Sequence, residues 1–210
     1  MTVSPREQLP TVRGRQTQAA IDDAARAVVA RKGILAATVS DIAAEAGRST
    51  ASFYNYYDSK EAMVRQWALR FLDEVREREH LTGNRRLSNR ERSVEIIAAH
   101  WHTYRNRFAE IIAVSQMATV SADFAEYWAE ICQTSISLMS AIVKRAQREG
   151  FATDDDPKLI AIAIVSMLNG FAYAHLFGEG RADAVDDEAC IATLANVFYR
   201  TIYYKEGEAI

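Results

Sequence analysis

Apolar residues recur along this chain at three- and four-residue intervals, interrupted by short stretches rich in Gly, Pro, Asn, Asp and Ser. Ile21, Ala25, Val28 and Val29 follow the i, i+4, i+7, i+8 rhythm of an amphipathic helix, and Gly33 ends it. Met63, Trp67, Phe71 and Val75 mark a second stripe, on a helix expected from residue 59 to about residue 80. Residues 81–87, with Gly83 and Asn84, read as a loop. Val94, Ile97, Ala98, Trp101 and Phe108 form the next stripe, and Ile111 and Ile112 belong to a shorter helix that ends before Ser121. Phe124, Trp128, Ile131, Ser135, Leu138, Ile142 and Ala146 then predict a helix of about 28 residues, about 40 Å long, closed at Gly150. Three prolines and nine glycines spread over such segments argue against a β-rich fold, so an all-α protein of about nine helices is expected.

Local side-chain chemistry places several helix starts. Thr38 and Asp41 have the spacing of a capping box, as do Ser88 and Glu91, while Ser49 and Ser59 are further N-cap candidates. Asp156-Pro157 is an N-cap followed by proline at the first helical position, where a missing N–H costs nothing. Beyond this cap, residues 159–177 are almost continuously apolar. A membrane span needs about 20 such residues. Asn169, Gly170 and His175 inside the segment, and acidic flanks with only Lys158 and Arg181 beside them, argue against a span. A helix that is apolar all round must then be covered all round. The last helix, from about residue 187 to residue 204, carries Ile191, Leu194 and Phe198 on one stripe and Cys190, Val197 and Tyr204 on another. Two such helices suggest a two-fold, four-helix homodimer interface, placed on Met167, Phe171, Leu194, Phe198 and Ile202.

The chain carries a net charge of −3, yet basic residues outnumber acidic ones over the first seventy residues and the reverse holds beyond them. Only the N-terminal third is suited electrostatically to a polyanion. Residues 1–16 hold Pro5, Pro10, Gly14, Arg6, Arg13 and Arg15 with little apolar content, and are expected to form a flexible arm. Such a basic arm would reach DNA through Arg13 and Arg15 if the region beside it bound nucleic acid. No apolar h-region follows Met1, so a signal peptide is not expected and the cytoplasm is the expected compartment. Cys132 and Cys190 lie far apart in apolar segments, as buried free thiols would. His100 and His102 point to different helix faces and lack a Cys or carboxylate cluster, so no metal or other cofactor is expected. Neither a phosphate-binding glycine loop nor a nucleophile elbow is present.

Residues 38–63, TVSDIAAEAGRSTASFYNYYDSKEAM, organise the rest. A short helix ends at Ala46, Gly47 turns the chain, a second short helix covers residues 50–56, and a long helix comes after it. This is a helix-turn-helix pattern. Phe53 and Tyr57, four apart, face inward against Ile42, Ala43 and Ala46, which leaves Thr50, Ala51, Ser52, Tyr54, Asn55 and Tyr56 outward or at the rim. Small hydroxyl and amide groups on an exposed face suit base edges, and tyrosine hydroxyls and lysine ammoniums suit phosphates. The plainer alternative is a helical hairpin whose tyrosines only pack.

With Phe53-Tyr54-Asn55-Tyr56-Tyr57-Asp58-Ser59 leading into Lys60-Glu61-Ala62-Met63, the stretch resembles the signature of the TetR family of bacterial transcriptional regulators. The resemblance implies that Thr50, Ala51, Ser52 and Tyr54 lie at base edges, and Thr38, Ser49, Asn55, Tyr56 and Lys60 at phosphates. Arg48 departs from the pattern, standing where the family usually has an apolar residue. Residues 17–65 would form the DNA-binding domain, and residues 66–210 a larger helical domain that dimerises through its last two helices. The resemblance further implies a ligand cavity among the middle helices, with Trp101, Tyr104, Phe108, Met117, Phe124, Trp128, Met139 and Phe171 as its candidate lining and a small lipophilic effector as its occupant. These same residues would otherwise simply be core. Glu126-Tyr127-Trp128 is similar to the ethionamide-resistance regulator branch of the family. The expected function is thus a sequence-specific regulator, a repressor released from palindromic double-stranded operator DNA by its ligand. The alternative is a helical small-molecule-binding protein or enzyme whose N-terminal module does not bind DNA.

Overall fold

The computed structural model describes residues 12–78 and 87–204, with the side chains of 74–78 excepted; the expected loop at 81–87 therefore falls almost wholly outside it, as do residues 1–11 of the expected arm. Nine α-helices form among the described residues: α1 (Val12–Lys32), α2 (Val39–Glu45), α3 (Thr50–Tyr54), α4 (Lys60–Arg78), α5 (Asn89–Asn106), α6 (Phe108–Met117), α7 (Ala122–Arg148), α8 (Pro157–Leu176) and α9 (Asp187–Ile202). A 3₁₀ turn, Ala182–Ala184, precedes α9.

The caps read from the sequence are present. Thr38 and Asp41 close a capping box at α2, with Asp41 N–H donating to Thr38 Oγ1 at 3.1 Å and Thr38 N–H to Asp41 Oδ2 at 2.8 Å. Ser88 and Glu91 close another at α5, and Asp156 Oδ1 accepts from Lys158 and Leu159 N–H at the start of α8. Gly33, Gly47 and Gly150 take positive φ at the ends of α1, α2 and α7. A helix as short as α3 has no stability of its own. It is held by Phe53 and Tyr57, which are buried against the α1–α2 core containing Ile21, Ala25 and Ile42.

Several expectations are corrected. α1 begins at Val12, so Arg13 and Arg15 lie on its first turns and not on an arm. α3 ends two residues earlier than the pattern suggested. Phe108 opens α6 after a break at Arg107 and is not part of the α5 stripe; Val94, assigned to that stripe, is exposed while Ser93 is buried. In the second half of α7 the buried line runs through Met139, Val143 and Ala146, with Leu138 outside. A helix turns 3.6 residues at a time, so a stripe read at strict spacing drifts around a helix this long.

α7 packs along α8, while α5 lies between α8 and α9. α6 is buried along almost its whole length, touching α1, α4 and α7. By length and composition α8 is apolar enough to cross a membrane, and about a third of it is buried within the chain. α9 is different: Leu194, Phe198 and Ile202 are 2, 1 and 0% exposed. The interface placed on these three residues is therefore incorrect, because α9 turns that stripe inward toward α5. The outer faces carry Leu159, Ile162 and Tyr173 on α8 and Val197 on α9, with Met167 and Phe171 half-buried at the margin. Both cysteines are free thiols, Cys190 buried and Cys132 half-buried.

Candidate nucleic-acid interface and its coupling to the second domain

The outward face of α3 is built by what the inward face must bury. Phe53 is fully buried, and Tyr54 stands edge-on to it at 5.6 Å between centroids while remaining 55% exposed. Thr50, Ala51 and Asn55 are exposed and Ser52 is half-exposed, so these side chains share one accessible surface with Tyr54. Ser49 caps the helix, accepting from Ser52 N–H at 3.3 Å, and its Oγ lies 3.1 Å from Ser52 Oγ. Tyr57 anchors the far side: its hydroxyl donates to Asp22 Oδ1 at 2.6 Å in a buried contact, and Gln18 Nε2 donates to the same hydroxyl at 3.4 Å. Burial, reinforced by Asp22, raises the Tyr57 phenol above its ordinary pKa, so it stays a donor.

Of the residues assigned to phosphates, Ser49 and Asn55 are exposed and Tyr56 is half-buried. The hydroxyl of exposed Thr38 donates to Asp41 Oδ2 at 2.6 Å. Ion pairing with Lys32, at 2.6 Å, together with the Thr38 bonds holds the Asp41 carboxyl well below the usual carboxylate range. Lys60 is not a free cation. Its Nζ donates to the carbonyls of Ile34 and Ala37, both at 2.9 Å, and so pins the turn between α1 and α2. Two of the three ammonium donors are thereby used within the protein.

The residues assigned to a ligand cavity are brought together, but as packed core. Trp101, Tyr104, Phe108, Met117, Phe124 and Met139 are buried; Trp128 and Phe171 are partly buried against them. Trp101 meets Phe171 edge-on at 6.0 Å, and its indole N–H donates to Asp187 Oδ1 at 2.7 Å, joining α5 to the start of α9. Beside Tyr104, His100 has its Nε2 enclosed and without a partner among the described residues, although part of the residue reaches the surface. Burial pushes that imidazole down to about 4, so it is neutral at physiological pH.

On α4, Trp67 and Phe71 pack in the core that also holds Ile21, Ile42, Trp101 and Phe108. Both are buried, and α4 carries a further link in Arg65, which pairs with Asp123 at 3.0 Å, donates to Tyr127 Oη at 3.2 Å and lies over the Phe124 ring. A second set of contacts joins α6 and the segment after α8 to α1 and the turn that follows it. Buried Glu110 on α6 accepts from Arg26 on α1 at 2.8 Å, Gln116 Oε1 accepts from Ile34 N–H at 2.9 Å, and Gly178 N–H donates to Ala30 O at 3.2 Å. No periodicity singles out Arg26, Glu110 or Gln116. Glu110, set within the apolar run Phe108 to Val114, was the available signal.

Comparison with known proteins bears on this geometry. Residues 21–66 match the family described as bacterial regulatory proteins, tetR family, and residues 92–204 match the C-terminal domain of the transcriptional regulator EthR. The chain is 25% identical to the HTH-type transcriptional regulator EthR of Mycolicibacterium smegmatis, covering 93% of this chain and 94% of that one. It is 39% identical to the HTH-type transcriptional repressor KstR2 of Rhodococcus jostii over 36% of each chain. A tetR-family regulatory protein from Rhodococcus RHA1 superposes with a TM-score of 0.68 at 20% identity, covering 89% of this chain and 97% of that one, which speaks to the fold.

Proposed function

Because the chain belongs to the TetR family of bacterial regulators, with a C-terminal domain of the EthR type, we propose that it is a homodimeric cytoplasmic repressor released from a palindromic operator by a small lipophilic ligand. The family is one of regulators, which sets aside the enzyme alternative. The observation that carries the reading is the exposed Thr50, Ala51, Ser52 and Tyr54 surface on a short helix whose other side is locked by Phe53 and by the Tyr57–Asp22 bond. A helix so presented fits the major groove, where hydroxyls and an aromatic edge discriminate bases. Ser49, Asn55 and Tyr56 flank it for the phosphates. The exposed apolar residues of α8 and α9 fit a second copy of the chain.

The aromatic, largely uncharged interior around Trp101, Phe108, Phe124 and Trp128 suits a lipophilic effector. Entry of a ligand there has to displace packed side chains, and α6 and α7 are the elements against which they pack. Movement of α6 pulls on Arg26 and Ile34, and movement of α7 pulls on Arg65, so both α1 and α4 carry the displacement to α3 in each subunit. Half-sites lie on a fixed helical repeat, so a change in α3 separation weakens simultaneous engagement.

Selection of bound fragments from the source genome supplies the operator. Alanine at Thr50, Ser52 and Tyr54 together should then abolish operator preference, since each wrong base costs about 1–3 kcal/mol; survival of that preference sinks the recognition assignment. A ligand found by thermal shift must, by linkage, bind the DNA-free dimer more tightly by the factor with which it weakens DNA binding. Equal affinity with and without operator would separate the pocket from regulation.

A further inference from the structure

Most of the cationic side chains of the N-terminal module are engaged within the protein. Arg26 pairs with Asp23 and Glu110, Arg31 with Glu45, Lys32 with Asp41 and Arg65 with Asp123, while Lys60 is held by two carbonyls. Two guanidinium groups stand apart from this scheme. Arg13, on the first turn of α1, and Arg48, in the turn between α2 and α3, are both exposed and have no ion pair among the described residues. They line one surface concavity of about 360 Å³ together with Gln16, Thr17 and Ser52. Ser52 belongs to the base-reading surface, so this basic concavity opens directly beside it.

We propose that Arg13 and Arg48 together seat one backbone phosphate of the operator and thereby set the depth at which α3 enters the groove. The proposal rests on the reading of α3 as the recognition helix. Guanidinium forks match phosphate oxygens in geometry and remain charged at any physiological pH. Arg48 immediately precedes Ser49, the residue that caps α3, so a phosphate fixed at Arg48 fixes the start of that helix against the duplex. Arg13 reaches the same place from α1, so one contact ties both helices to DNA. Phosphate contacts position a protein without reading sequence. The seat therefore acts alike on operator and on unrelated duplex.

The test measures wild type, Arg13→Ala, Arg48→Ala and the double variant on the selected operator and on a random-sequence duplex, each over a salt series. The double variant is expected to flatten the slope of log affinity against log salt by about 0.9 for each bound subunit, the value for one phosphate. Affinity should fall by the same factor on both duplexes, so their ratio is unchanged. Lysine at both positions should restore the slope, and the melting temperature of the free protein should not move, because both side chains are exposed. A slope change of about twice 0.9 per subunit would mean two separate phosphates, and no change would mean none; either overturns the shared seat. If the double variant fails to fold, the lysine pair decides, since loss of slope with charge retained contradicts a charge-based seat. Wild type without affinity for any duplex would overturn the α3 reading as well, whereas normal wild-type binding unaffected by the double variant removes the seat alone.

Discussion

Tyr57 sends its hydroxyl to Asp22, a carboxylate buried in the small domain. Such a carboxylate is tolerated only while its bonds are made. Tyr57→Phe keeps the ring packing and removes the donor, so it is expected to destabilise the protein by about 1–3 kcal/mol, the usual cost of an unsatisfied buried group. Urea denaturation measures this, and a loss within error of zero would mean that water replaces the phenol. His100 makes a prediction of opposite chemical kind. Its folded-state pKa of about 4 lies below the ordinary value of 6.5, so between these pH values the unfolded chain takes up a proton that the folded chain refuses. The His100 contribution to stability is therefore complete above about pH 6.5 and is lost progressively as pH falls toward 4. Across this window the melting temperature of wild type should fall toward acid relative to that of His100→Gln; a constant difference would show that the imidazole protonates freely in the folded state.

At the scale of elements, the junction of α1 with α6 is more tightly specified than either helix. Gly33 ends α1 with φ of +77°, and a Cβ added there would lie 2.5 Å from Gln116 Oε1, the atom that accepts from Ile34 N–H. Gly33→Ala should cost about 1–3 kcal/mol for the positive φ alone, and more because Gln116 must leave its bond. Gly150 also has positive φ, at +85°, but open space around it, so Gly150→Ala isolates the backbone part. With Gln116→Ala already in place, Gly33→Ala should cost no more than Gly150→Ala does. A double-mutant cycle by chemical denaturation reads the coupling. Simple additivity would mean that Gln116 rearranges without loss, and that α6 does not hold the turn.

Across the whole molecule, α8 and α9 keep apolar residues on surfaces the chain itself does not cover. Val197 is 42% exposed whereas Leu194, one turn away on the same helix, is 2% exposed. A charge at Val197 or Ile162 should give a folded monomer in sedimentation, with helical circular dichroism intact and operator affinity much reduced. Leu194→Glu should instead unfold the second domain, since burying an unpaired charge is prohibitive. A folded dimeric Val197→Glu protein would place the subunit contact elsewhere.

Structure that depends on near neighbours in the chain is legible in the sequence alone. The caps at Thr38, Ser49, Ser88 and Asp156, the glycine stops and the inward Phe53 and Tyr57 depend on side chains three or four positions apart, and each of those contacts is present. The exposed face of α3 is their consequence. What sequence spacing left undetermined was which side of an apolar helix meets its own domain: Leu194, Phe198 and Ile202 turn inward on α9, and Val94 and Leu138 outward, because the placement of the packed neighbours selects the buried face. Nor does spacing tell a free cation from one already engaged within the protein. Lys60 meets carbonyls 26 and 23 residues away and Arg26 meets a glutamate 84 residues away, leaving Arg13 and Arg48 toward solvent. Partners so distant along the chain come together only when the helices have packed.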